Sequence, residues 1–184
     1  ELALAHLNIE DTNTLGLEGD ETHNHTPYRG MIEAAIKLLK KNRFFWFFRA
    51  QNATSDDQNR RGSWGEGKFT LEAASMMGAQ ISYSIRETAS GLSRILMGQT
   101  TLRWHSILNP SKGYGDVAAD GTPSPYTFDP YGSFSTAELA DSGSGYSPMP
   151  ITEDTYIDEF CSDFRLERTD QRGLSVVILQ PRFE

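Results

Sequence analysis

Residues 28–51 read YRGMIEAAIKLLKKNRFFWFFRAQ, a stretch at once apolar and basic, and the rest of the chain is expected to fold against it. Met31, Ile32, Ala35, Ile36, Leu38 and Leu39 recur at helical spacing, while Glu33, Lys37, Lys40 and Lys41 take most of the opposite face. That spacing predicts a helix over residues 29–41. Pro27 suits its start, Glu33 and Lys37 make a favourable pair one turn apart, and Asn42 suits its stop. The lysines gather where the helix dipole is negative. A helix of this length is marginal alone, so it must pack on something. Five consecutive aromatics, residues 44–48, then predict a strand over 43–49 that is buried on both faces.

At 184 residues, with 38% hydrophobic and 23% charged residues, the chain fits one globular domain with a core of its own. A single cysteine excludes an intrachain disulfide and a zinc site built on cysteines. No apolar run approaches the roughly 20 residues of a membrane span, and no signal peptide is visible. Charge comes in blocks: residues 1–27 carry −6, 28–51 carry +5, 52–112 carry +2 and 113–184 carry −9, for −8 in all. Such a chain either neutralises itself internally, the simpler reading, or presents one basic surface to a partner.

Residues 1–27 predict an extended acidic arm that crosses the surface or reaches a neighbour, with Leu2, Leu4, Leu7 and Ile9 in a short strand or turn. Residues 28–184 then form a single domain. Within it, residues 52–67 read as a loop, and alternation predicts strands over 68–73 and 79–86, the second with Ile81, Tyr83 and Ile85 on one face. Leu92, Ile95 and Leu96 predict a short helix, and residues 100–108 return to strand-like alternation. Residues 109–150 predict a long loop, ordered in part by Tyr126, Phe128, Tyr131 and Phe134. Alternation over 156–166 and the β-branched run 174–179 predict two strands joined by a hairpin loop that ends at Gly173. The expected fold is mainly β: an antiparallel β-sandwich, jelly-roll-like, with one or two short helices and long loops.

No motif carries catalysis by itself, and neither an enzyme, a metal nor a cofactor is expected. His23 and His25 offer a metal two imidazoles near Asp20 and Glu21, but no further spaced ligands accompany them, so a polar loop is the simpler reading. His105 beside Trp104 is a candidate base, or a strand histidine satisfied by hydrogen bonds. Asp158, Glu159 and Asp163 surround Cys161 with carboxylates, which disfavour a thiolate nucleophile. Asp56, Asp57 and Glu66 flank Trp64, as paired acids face a sugar in glycosidase clefts, although loop acids are mostly solvated. Residues 62–68, GSWGEGK, lack the hydroxyl that follows the lysine of a P-loop. Asn24 and Asn52 open glycosylation sequons. Lys37, Lys40, Lys41, Arg43 and Arg49, with Arg60 and Arg61 beyond, can meet phosphates while exposed aromatics stack bases, whereas four phenylalanines within residues 44–48 favour a core.

Two segments resemble parts of capsid proteins of the picornavirus-like group, including its insect and marine relatives. The first is the acidic Gly19-Asp20-Glu21, followed closely by the short basic helix expected at 29–41. The second is Phe160-Cys161-Ser162-Asp163-Phe164-Arg165-Leu166, which is similar to a late jelly-roll strand of those proteins. The absent initiator Met, the acidic arm and an end directly after a strand are what polyprotein cleavage leaves. The chain is shorter than most such subunits, and residues 169–173 stand where a proline-rich step is expected. The resemblance implies an eight-stranded jelly roll that tiles the shell of a virion, with loop 109–150 on the surface and the basic segment near an interface or the genome. The reading that follows is a structural subunit, a capsid protein contacting copies of itself and related subunits, with nucleic acid as a further partner and no membrane. The alternative is a carbohydrate-active or carbohydrate-binding β-sandwich using Asp57 or Glu66, and a nucleic-acid-binding module is a third.

Overall fold

The computed structural model describes residues 4–22, 38–39, 41–49, 67–102, 105–107, 116–117, 123–124, 126–128, 131–139 and 146–182. Along the chain run β1 (His6–Glu10), a π-helical turn (Phe45–Arg49), α1 (Gly67–Ala73), β2 (Ala79–Thr88), β3 (Gly91–Thr101) and β4 (His105–Ile107). There follow β5 (Asp116–Val117), β6 (Pro123–Ser124), β7 (Tyr126–Phe128), β8 (Tyr131–Phe134), β9 (Thr136–Leu139), β10 (Tyr146–Met149), α2 (Asp154–Asp163) and β11 (Gly173–Leu179). The organisation is mainly β and antiparallel with a few short helices, as the sequence predicts. Among the described residues five strands pair in the order β1-β11-β2-β3-β8, and β9–β10, β4–β7 and β5–β6 form separate two-stranded ribbons.

β2 and β3 join through a two-residue loop, with Thr88 opposite Gly91, and the register sets Tyr83 against Leu96 and Ser84 against Ile95. Tyr83, Ile85, Leu96 and Val177 therefore share one face, where Ile157 and Phe160 of α2 pack on them. Ile95 and Met97 share the other face, where Leu17, Phe44 and Phe48 cover them. Burying each of these side chains contributes about 1.5–3 kcal/mol.

Several local expectations give way to the structure, each for a physical reason. Residues 43–49 are helical rather than a strand. Asn42 interrupts the helical residues as expected, but it also starts the next turn: its Oδ1 accepts a hydrogen bond from the Phe45 amide at 2.9 Å. Phe44 and Phe48, four apart, then face the sheet, while Phe45 turns to Leu39 and Trp46. An unbroken aromatic run has no period, so it fits either element. Residues 68–73 form α1, not a strand, since six residues give too few alternations to fix a period; Glu72 of α1 is buried against Thr101, whose hydroxyl it accepts.

Leu92, Ile95 and Leu96 lie on β3 rather than on a helix. A strand buried on both faces carries apolar residues at neighbouring positions, and those mimic helical spacing. Residues 156–163 lie on α2 rather than on a strand. Ile157, Phe160, Cys161 and Phe164 recur at three and four, and the helix ends with Arg165 at φ 53°, the Leu166 amide bonding Cys161 O and the Arg165 amide bonding Ser162 O. The segment likened to a late jelly-roll strand is thus the end of a helix, and residues 164–172 link a helix to β11 instead of closing a hairpin. Residues 109–150, expected as loop, contain β5 to β10, with Tyr126, Phe128, Tyr131 and Phe134 on strands. Most of the helix expected at 29–41, and the loop expected at 52–67 apart from Gly67, lie outside the described residues.

Candidate functional site

The outer strand β1 comes from the acidic segment 1–27, and it is fixed to the sheet. His6 lies opposite Leu179 and Glu10 opposite Ser175. The Gln180 amide bonds Ala5 O at 2.8 Å and the Asp11 amide bonds Leu174 O at 3.0 Å. Antiparallel pairs alternate between bonded and non-bonded positions. With residues 5 and 11 bonded, the backbone groups of Leu7 and Ile9 also face β11, and those of His6, Asn8 and Glu10 point away from the sheet. The Leu7 and Ile9 side chains are 40% and 46% exposed. On the other face, His6 meets the Phe164 ring edge-on at 5.1 Å, Asn8 Nδ2 donates to Phe164 O at 2.7 Å, and Glu10 accepts from Ser175 Oγ at 2.7 Å and the Glu167 amide at 2.9 Å.

Three arginines hold the residues that follow β1. Arg168, its side chain 2% exposed, donates to Asp11 O and Oδ1, Gln171 O, Leu174 O and Ser175 Oγ. Arg86 donates to Leu17 O, Gly19 O and, at 2.8 Å, the Glu21 carboxylate. Arg49 donates to Glu21 O at 2.6 Å and Pro148 O at 2.8 Å, and its guanidinium lies 5.7 Å from the Phe44 ring centre. Burial lowers the Arg49 guanidinium from its ordinary value, with Asp20 and Glu21 pulling the other way. Gly16 lets the segment lie flat: at φ 66° it passes so near β2 that a Cβ would stand 2.5 Å from Ile85 O.

A second cluster joins α2 to the sheet. Arg94 donates to Tyr83 Oη at 3.1 Å, Asp154 at 3.1 Å and Asp158 at 2.5 Å. Burial lowers Arg94, but its bonds to Asp158 and Tyr83 outweigh that and hold it above its ordinary value. Burial raises the Tyr83 phenol, against the opposing pull of Arg94, and likewise pushes the Cys161 thiol up. Cys161 is a half-buried thiol packed against the core, and a raised pKa suits no nucleophile.

At the opposite side of the sheet, Phe134, Ser135 and Thr136 face Pro150, Ile151, Thr152, Glu153 and Tyr156 across a cleft of about 350 Å³. Phe134 and Tyr156, 44% and 54% exposed, offer two aromatic surfaces beside hydroxyls and a carboxylate.

Of the cations read as phosphate contacts, Lys41 is exposed, Arg43 is half-buried, and Arg49 is committed to the bonds above. Lys37, Lys40, Arg60 and Arg61 lie outside the described residues, as do His23, His25, Asp56, Asp57, Trp64, Glu66, Asn24 and Asn52. Phe44, Phe45 and Phe48 are buried, so they stack on no base. His105 begins β4 opposite Phe128. Among the described residues no three of His, Cys, Asp and Glu cluster as metal ligands, and no helix is long and apolar enough to cross a membrane. Arg86 and Arg168 left no signal in the sequence, whereas the alternation of His6-Leu7-Asn8-Ile9-Glu10 did.

No protein-family model, curated protein or solved structure matches this chain.

Proposed function

We propose that this chain is a non-enzymatic structural subunit that assembles with copies of itself and related subunits, a virus particle being the assembly that the capsid resemblance points to. One observation carries the reading: among the described residues the sheet ends at β1, a strand with outward backbone groups and two exposed aliphatic side chains. Natural sheets usually guard such an edge with charge, proline or a covering element, because it templates pairing with another chain. Here the outward face of Leu7 and Ile9 is apolar, and the arginine clamps hold the strand in place for a partner.

Light scattering across a concentration series, followed by electron microscopy of the native material, tests this. A mass several times that of one chain, with regular particles, is expected. A single-chain mass at every concentration contradicts it. The cleft beside Phe134 and Tyr156 favours a second reading, carbohydrate binding, since sugars stack on aromatic rings while polar groups fix their hydroxyls. A single-chain mass combined with oligosaccharide-induced shifts of the Tyr156 resonances would select that reading.

A further inference from the structure

We infer that β1 pairs with β1 of a second copy of this chain, antiparallel about a two-fold axis through Asn8, to give one continuous ten-stranded sheet. The inference rests on the subunit reading above and names its partner and register. Three independent features of the strand converge on this pairing.

The first is the phase of the backbone. In a two-fold pair centred on Asn8, His6 lies opposite the second copy's Glu10, and Asn8 opposite its own equivalent. These are the residues whose amides and carbonyls point away from β11, so every outward group meets a complementary one. An axis on Leu7 or Ile9 also opposes outward groups but leaves Glu10 or His6 beyond the end of the other copy's β1, whereas the axis on Asn8 pairs all three; an axis midway between two residues would bring inward-bonded residues to the seam. The second feature is apolar. The same register sets Leu7 opposite the second copy's Ile9, and Ile9 opposite its Leu7, at the closely spaced non-bonded positions, where side chains touch best. Both are exposed in the single chain, so pairing covers apolar surface. The third is charge. His6 and Glu10 lie on the α2 face, and pairing sets each imidazole opposite a carboxylate that Ser175 Oγ and the Glu167 amide already hold in place. An antiparallel self-pair centred on Asn8 never places Glu10 against Glu10. The interface is the same patch on both copies, as a two-fold contact requires.

The test is a register-specific disulfide in a Cys161→Ala background, which removes the chain's one native thiol. Leu7→Cys and Ile9→Cys chains are prepared separately, oxidised alone, and oxidised after mixing. Opposed residues at a non-bonded pair sit about 4.5 Å apart at Cα, within disulfide range. Leu7 and its own equivalent, or Ile9 and its own, are diagonal neighbours about 7–8 Å apart or more, beyond it. The mixture should therefore give covalent dimer on the order of tenfold faster than either variant alone. Both positions are exposed, so the reduced variants should keep the parent's circular dichroism, and an Ile9→Lys chain should keep it too while losing the dimer. Preferential cross-linking of either variant with itself overturns the register. Assembly that persists in Ile9→Lys, without a mixed cross-link, overturns β1 pairing and leaves the subunit reading standing. A single-chain mass for the unmodified protein overturns both.

Discussion

Arg168 donates five hydrogen bonds from a side chain almost wholly removed from water, four of them to oxygens of residues 11, 171 and 174 and one to Ser175. Its partner Asp11 is more exposed, so the ion pair itself adds little, and the bonds to carbonyls matter more. Removing the guanidinium leaves those carbonyls and the Ser175–Glu10 contact short of a donor in a site water does not reach. Arg168→Met keeps the stem that packs and deletes the donors, and it should cost about 3 kcal/mol of folding free energy, read as a drop in the urea midpoint. A loss under about 0.5 kcal/mol, the usual range for surface changes, would mean that the clamp is ornamental. Nothing in the sequence singles this arginine out from Arg165 or Arg172 nearby: a buried donor is defined by the carbonyls that reach it, and three of the residues bonded to it follow a turn while the other lies at the chain's far end.

Legibility at the element scale followed how each element is buried. β2 and β11 could be read because one alternates and the other is a β-branched run, and both sit at the centre of a sheet. β3 could not, because Ile95, Leu96 and Met97 are buried on alternating faces and leave no polar phase to detect. α2 shows the converse. Phe160, Ser162, Phe164 and Leu166 alternate as in a strand, yet Ile157, Phe160, Cys161 and Phe164 follow the helical template, and the helix is the arrangement that packs all four against one core. The two readings differ over Ile157, which a strand would turn to the face opposite Phe160 and the helix buries fully. Ile157→Ala should therefore cost about 3 kcal/mol in chemical denaturation, as core aliphatic truncations do, and a cost near zero would return the segment to the strand reading. While α2 covers one face of the sheet, the aromatic stretch covers the other through Phe44 and Phe48. Its secondary structure was not legible, because the Asn42 cap and the Phe44–Phe48 spacing gain meaning only once Leu17 and Met97 are seen beneath it.

At the scale of the whole molecule, acids of the first block are met by arginines from later stretches outside the basic block: Asp11 meets Arg168 and Glu21 meets Arg86, while Arg49 of the basic block holds the backbone at Glu21. That internal pairing ties down a segment which reads, in sequence, as an arm that crosses the surface or reaches a neighbour. What remains for a neighbour is the strand's outer side, so contact between copies is proposed through a fixed edge rather than through a flexible tail. Amide hydrogen exchange resolved at β1 tests this most directly, measured on the intact protein from dilute to concentrated solution. The Leu7 and Ile9 amides, bonded to β11, should be protected throughout, and those of His6, Asn8 and Glu10 should gain protection as concentration rises. Free exchange of His6, Asn8 and Glu10 at the highest concentration, in a protein whose β11 amides stay protected, would contradict the account.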